Sequence, residues 1–269
     1  MPINVAGCRA TPTTVSLGNF NGGSFVPVAG GAGHRIYTAT SCRVSLNPKI
    51  NTGKGVSGIT SLDPQADPAG DVLFLPFATN EIRSMVLPDP ATATANNYGY
   101  FLTTNLSGCM FYVDTVVGGN GSVVVYHANN EANAPGGNAG GQQPTLQLPA
   151  CTAHLTNLYN TAHADYLAAP YNLNLAVGAS VDKPAYNVGA MAEVQHKTGQ
   201  GRIGVEFTGG TIVFGVANGA NWELYWATYG STEYDRPWNA PKGWFGNTHR
   251  NPTGSKTPNY RVLGSAQFF

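Results

Sequence analysis

The clearest pattern of apolar and polar positions lies in the middle of the chain. Residues 98–104, 110–117 and 122–128 are dense in Tyr, Phe, Val and Thr, the side chains that suit a pleated, half-buried surface. Between the last two runs stands GGNG, 118–121, which predicts a hairpin. Further on, Leu155, Leu158, Tyr159, Ala162 and Tyr166 recur at spacings of three and four, which predicts a helix over 149–167. In the last third, 187–196, 202–208, 211–217 and 222–229 read as antiparallel strands. TGQG (198–201) and Gly209–Gly210 read as their tight turns.

The flanks are less regular. Residues 33–46 are the most strand-like part of the first seventy, and VLFLPF, 72–77, reads as a short buried strand. Thr79 is placed to cap a brief helix through Met85, and 89–97 reads as a linker. Residues 129–143 carry no core-forming side chains and read as a flexible loop. The tail, 230–269, is rich in aromatics and proline without periodicity. These elements predict an α+β fold: an antiparallel β-sheet or sandwich core with flanking helices and long loops. It would form one domain over 1–269, with 1–70 and 230–269 as decorations.

Composition sharpens this picture. Only 10% of the residues are charged, while Gly (34) and Pro (18) are plentiful, which favours strands and turns over long solvated helices. The net charge is zero, so no long-range attraction to nucleic acid or an anionic membrane is expected. No apolar run is long enough for a spanning helix, so no membrane insertion is expected. The first residues lack the basic and apolar regions of a Sec signal peptide. The four cysteines, Cys8, Cys42, Cys109 and Cys151, are widely spaced with no CxxC pair, which argues against a cysteine-only zinc site. A Cys8–Cys42 disulfide is the pairing least excluded.

The candidate chemistry sits on the central hairpin. Ser107 and Gly108 precede Cys109, and a glycine there permits a tight turn whose backbone N–H groups could face an oxyanion. If the hairpin centres on Gly119, His127 lies opposite Phe111, and Cys109 is two residues further along the same face. Such diagonal neighbours are about 7–8 Å apart at Cα. A slip of one residue would put them on opposite faces. A thiol nucleophile needs thiolate character, which an adjacent imidazolium promotes, and the same ring can protonate a leaving amine.

LSGC (106–109), followed by a strand, a turn and a strand ending in Tyr126–His127, resembles the catalytic core of the cytotoxic necrotizing factor deamidases and of Burkholderia lethal factor. The resemblance implies that Cys109 is the nucleophile and His127 its partner. It further implies that Thr103, six residues before the cysteine, belongs to the site. The segment between Cys109 and His127 is slightly longer here than in those toxins. The resemblance covers about 28 residues and implies a fold similar to the necrotizing-factor catalytic domain. It also implies a secreted or injected bacterial toxin or effector that deamidates a glutamine of a host protein in the host cytosol. A Rho-family GTPase or a translation-initiation helicase would be the target, with no metal or organic cofactor. The small size suggests a monomer. In those toxins a backbone carbonyl orients the histidine, and its position cannot be read from the sequence.

Other groups carry less. Asp114 shares a strand with Cys109 but reads as a solvent-facing carboxylate. His154 and His163 are nine apart on the predicted helix, in no metal-binding pattern. The aromatic-rich C-terminal quarter, with Trp222, Trp226, Trp238 and Trp244, reads as core packing. It also sustains the alternative to an enzyme: a non-catalytic, lectin-like β-sandwich module for binding or structure.

Overall fold

A computed structural model describes residues 4–15, 25–31, 33–51, 59–78, 80–106, 108–129, 149–186, 196–198, 201–234 and 258–269. In chain order the elements are α1 (Val5–Ala10), β1 (Thr13–Val15), β2 (His34–Tyr37), β3 (Arg43–Asn51), β4 (Ile59–Ala66), β5 (Val72–Leu75), β6 (Ile82–Leu87) and α2 (Pro90–Ala95). A 3-10 turn, Thr40–Cys42, leads into β3. The central elements are β7 (Tyr100–Thr103), β8 (Met110–Val116), β9 (Val123–Ala128) and α3 (Pro149–Leu167). The last are β10 (Leu175–Val181), α4 (Lys183–Tyr186), β11 (His196–Thr198), β12 (Gly201–Asn218), β13 (Asn221–Tyr234) and β14 (Pro258–Gln267).

The fold is β-rich α+β, built on two sheets. The larger runs β1-β4-β3-β5-β7-β12-β13-β14, with β11 added to β12; the smaller runs β10-β8-β9-β6-β2. The expectation of purely antiparallel sheets needs correction. Parallel pairs occur at β1–β4 and β5–β7 in the large sheet, and at β2–β6 in the small one. They arise because β5 and β7, and likewise β2 and β6, are joined by long connections rather than by tight turns.

Strand alternation divides the small sheet into two faces. Cys109, Phe111, Val113, Val123 and Val125 face the large sheet and join its Leu73, Leu75, Phe101 and Phe214 in the main core. Met110, Tyr112, Val124, Tyr126 and Ala128 face the other way, against Leu155, Tyr159, Ala162 and Tyr166 of α3. The apolar stripe expected for this helix is thus the surface that docks on the sheet. Each fully buried Phe or Leu contributes about 1.5–3 kcal/mol relative to exposure.

Several local expectations are overturned. Residues 82–87 form β6 rather than a helix, since this short apolar run fits between β2 and β9 and is buried at Ile82, Ser84, Met85 and Leu87. Thr79 lies outside the described residues. The predicted linker contains α2, whose N-terminus is capped by the Asp89 carboxylate accepting from Thr92 N–H at 2.9 Å, with Pro90 in the first turn. Gly209 and Gly210 are no hairpin turn. β12 runs through them, with a bulge between Thr208 and Gly210 and φ +152° at Gly210. The terminal regions contribute strands to both sheets: β1, β3 and β4 extend the large sheet, β2 edges the small one, and β14 closes the far edge of the large sheet, with Phe268 packing edge-on against Phe111. The predicted strand 187–196 and loop 129–143 lie almost wholly outside the described residues. Of the aromatic quarter, Trp222, Trp226, Tyr225 and Tyr229 are buried, and Trp222 Nε1–H donates to Pro88 O at 2.8 Å. Trp238 and Trp244 lie outside the described residues. No helix among the described residues is long and apolar enough to cross a membrane.

Candidate functional site

The central hairpin has the register on which the pairing of Cys109 and His127 depends. Phe111 is the partner of His127 and Met110 that of Ala128, so the ladder, continued by one residue, sets Cys109 against Asn129. Gly118 and Gly121 adopt φ +76° and +89°, and Asn120 φ +53°, conformations that the GGNG sequence tolerates. Cys109 and His127 therefore lie on one face of the small sheet as diagonal neighbours. Gly108 has φ +151°, and a Cβ there would meet nothing within 4 Å, so the backbone just before the thiol borders open space. Ser107 lies outside the described residues.

Thr103 reaches the site from the opposite sheet. Its Oγ1 is 2.8 Å from Leu75 O and 2.8 Å from His127 Nδ1. The hydroxyl has one proton, and the carbonyl can only accept, so Thr103 donates to Leu75 O. His127 must then donate Nδ1–H to Thr103 Oγ1. Leu75 O is thus linked to the imidazole through the Thr103 hydroxyl. The parallel pairing of Leu75 with Thr103 across β5 and β7 puts the two in register.

This tautomer leaves His127 Nε2 as a lone-pair acceptor. The ring is fully buried, and Nε2 is without a hydrogen-bond partner among the described residues. Burial pushes the imidazole down to about 3, and the Arg83 guanidinium, on the strand position paired with His127, adds in the same direction. The resting ring is therefore neutral. The imidazolium expected from sequence is not preformed, because the low-dielectric interior disfavours the charge. Phe77, half-buried, stacks on the ring at 6.2 Å between centroids.

The Cys109 thiol, 2% exposed, lies 3.1 Å from Asn129 Oδ1. Its own carbonyl accepts from Tyr186 OH at 3.2 Å, and Leu106 is bridged to Thr211 of β12 through both backbone hydrogen bonds. The loop carrying the cysteine is thereby fixed on both sides. Asn129 was missed by sequence reading. The signal that could have found it was the same register argument carried one residue further.

The other cysteines differ. Cys8 and Cys42 are free and buried, so the disulfide least excluded is not formed, and burial raises their thiols to about 11 and about 12. The side chain of Cys151 lies outside the described residues. Asp114, expected at the surface, is fully buried. Its carboxylate accepts from Tyr126 OH at 2.8 Å and Tyr159 OH at 2.6 Å, and pairs with His163 Nδ1 at 2.7 Å. This cluster is on the face of the small sheet away from Cys109. Among the described residues no group of three or more His, Cys, Asp or Glu gathers to hold a metal ion. No protein-family model, curated protein or solved structure matches the chain.

Proposed function

We propose that the chain is a cysteine-dependent protein-glutamine deamidase, with Cys109 as nucleophile, His127 as general base and acid, and Thr103 as the residue that positions His127. The observation carrying this reading is the buried chain Leu75 O, Thr103 Oγ1, His127 Nδ1, which leaves an unpartnered Nε2 on the sheet face that holds Cys109. A neutral imidazole with one nitrogen fixed and the other open is what proton abstraction from a thiol requires.

The reaction follows from those roles. The Cys109 proton passes to His127 Nε2, and the sulfur pair forms a bond to the glutamine carboxamide carbon. The C=O pair moves onto oxygen, which the N–H groups of Gly108 and Cys109 would hold on this reading. As the tetrahedral adduct collapses, the C–N bond breaks and the departing ammonia takes the proton from Nε2. Water then gives a proton to Nε2 and adds its oxygen to the thioester carbon. The C–S bond breaks and the proton returns to sulfur, so glutamine and water become glutamate and ammonia. A primary amine in place of water would give transglutamination.

The β-rich α+β architecture and the LSGC motif together favour a relationship to the necrotizing-factor and lethal-factor deamidases. On that reading the chain is a toxin or effector whose substrate is a host protein, a Rho-family GTPase or a translation-initiation helicase. The decisive experiment is mass spectrometry of host-cell proteins after exposure to wild type and to Cys109→Ser. A gain of about one dalton on a specific glutamine, absent with Cys109→Ser, is expected. The same gain with Cys109→Ser would refute the assignment.

A further inference from the structure

We propose that Asn129 is a catalytic residue: its side-chain amide holds the resting Cys109 thiol and, turned over, donates Nδ2–H to the thiolate and then to the oxyanion. The inference rests on Cys109 being the nucleophile.

The geometry begins with the hairpin. Asn129 continues β9 by one residue, and its backbone N–H donates to Glu81 O at 3.0 Å, which extends the pairing with β6 past the last strand residue. The side chain is 8% exposed and projects onto the face occupied by Cys109 and His127. Its Oδ1 is 3.1 Å from Sγ, shorter than an ordinary sulfur hydrogen bond, and the thiol is the donor. The resting S–H thus points at Asn129 while His127 Nε2 stands open. Attack requires the S–H to swing to Nε2.

Once the proton has moved, Oδ1 facing a thiolate would be repulsive. A half-turn of the amide replaces it with Nδ2, a two-proton donor, at the same distance. A thiolate desolvated in a buried site needs such a donor, because burial without one raises the thiol pKa. The oxyanion forms on a carbon bonded to Sγ, about 3 Å from the sulfur, so it falls within reach of the same amide. Removing one oxyanion donor typically lowers turnover by about 10²–10³-fold.

The test uses the full chain with iodoacetamide as the probe, followed by mass mapping of Cys109 across pH 5–10. Asn129→Asp keeps the shape but loses the donor, and Asn129→Ala removes the group. Both should raise the pH at which Cys109 alkylates and slow it by about tenfold or more at pH 7, with Tm close to wild type. Wild-type alkylation profiles in both variants would overturn the role of Asn129. A Cys109 that is inert in the wild type, with glutamine deamidation persisting in Cys109→Ser, would instead remove the nucleophile reading. If either variant fails to fold, Asn129→Ser, which keeps a hydroxyl donor, decides: partial recovery of the alkylation rate relative to Asn129→Gly is expected, and equal rates in the two would count against the role.

Discussion

The two faces of the small sheet both bury polar groups, and they treat them differently. On the face under α3, the groups around Asp114 and Ser84 complete one another, although His154 Nε2 of α3 is buried without a hydrogen-bond partner among the described residues. His34 is 2.7 Å from Asp165 Oδ2 through Nδ1 and 2.8 Å from Ser84 Oγ through Nε2, and Ser84 Oγ is 2.9 Å from Tyr166 OH. Asp114 is closed by two tyrosines and His163. The pairing is reciprocal: a helix aspartate meets a sheet histidine, and a helix histidine meets a sheet aspartate. Ser84, His34 and Asp165 even have the order of a serine-nucleophile relay, yet Ser84 is wholly buried and its oxygen is already shared. On the opposite face His127 has one nitrogen fixed and the other open. A closed polar network rigidifies a core; an open valence beside a thiol is available for chemistry.

The largest expected effect that would sharpen this contrast is in catalysis. His127→Ala should lower turnover by about 10³-fold or more, with the fold retained by circular dichroism. Retained turnover would make the open nitrogen irrelevant.

Acidification gives the next effect. His127 is held down to about 3 in the folded chain against the ordinary 6.5, so between those pH values the unfolded chain binds the extra proton. Stability is then complete above pH 6.5 and falls as the pH drops towards 3, by about 3–5 kcal/mol from this residue. The lowered imidazole of His34, desolvated by burial against its Asp165 pairing, acts with the same sign. Urea titrations at pH 7 and pH 4.5 should show a smaller difference for His127→Gln than for wild type.

On the closed face, Asp114→Ala strands two tyrosine hydroxyls and His163. It should destabilise by about 3–5 kcal/mol while leaving the iodoacetamide reactivity of Cys109 unchanged at temperatures where the variant is folded. A change in reactivity would mean that the two faces are coupled. The smallest effect is that of Thr103→Val, which preserves shape but removes the link to Leu75 O. It should lower kcat by about 10–100-fold and destabilise by about 1–2 kcal/mol.

Much of this was legible. The GGNG turn and the alternation on each side of it made the pairing of Phe111 with His127 one of two alternatives a residue apart, because a two-residue period leaves no choice of face once the turn is set; the structure has the turn centred on Gly119. The α3 stripe was legible for the same kind of reason. α2 was not read, although Asp89 before Pro90 is its start signal, because its alanines and threonines lack an apolar stripe and hid it. β6 was not, since a six-residue run carries too little periodicity to separate strand from helix, and its neighbours β2 and β9 decide. Asp114 reads as surface in sequence, and only the docking of α3 supplies Tyr159 and His163, which with Tyr126 of β9 permit its burial.

The sequence by itself determined the hairpin and named Cys109 and His127 as a pair that shares a face if the turn centres on Gly119, since this much follows from local turn chemistry and strand alternation; the structure supplied that register. Only the tertiary structure decided that Leu75 O, through Thr103, holds the imidazole from the opposite sheet, and that burial keeps the ring neutral. Both depend on parallel β5–β7 pairing and on the packing of one sheet over the other, contacts between residues far apart in the chain that no local pattern encodes.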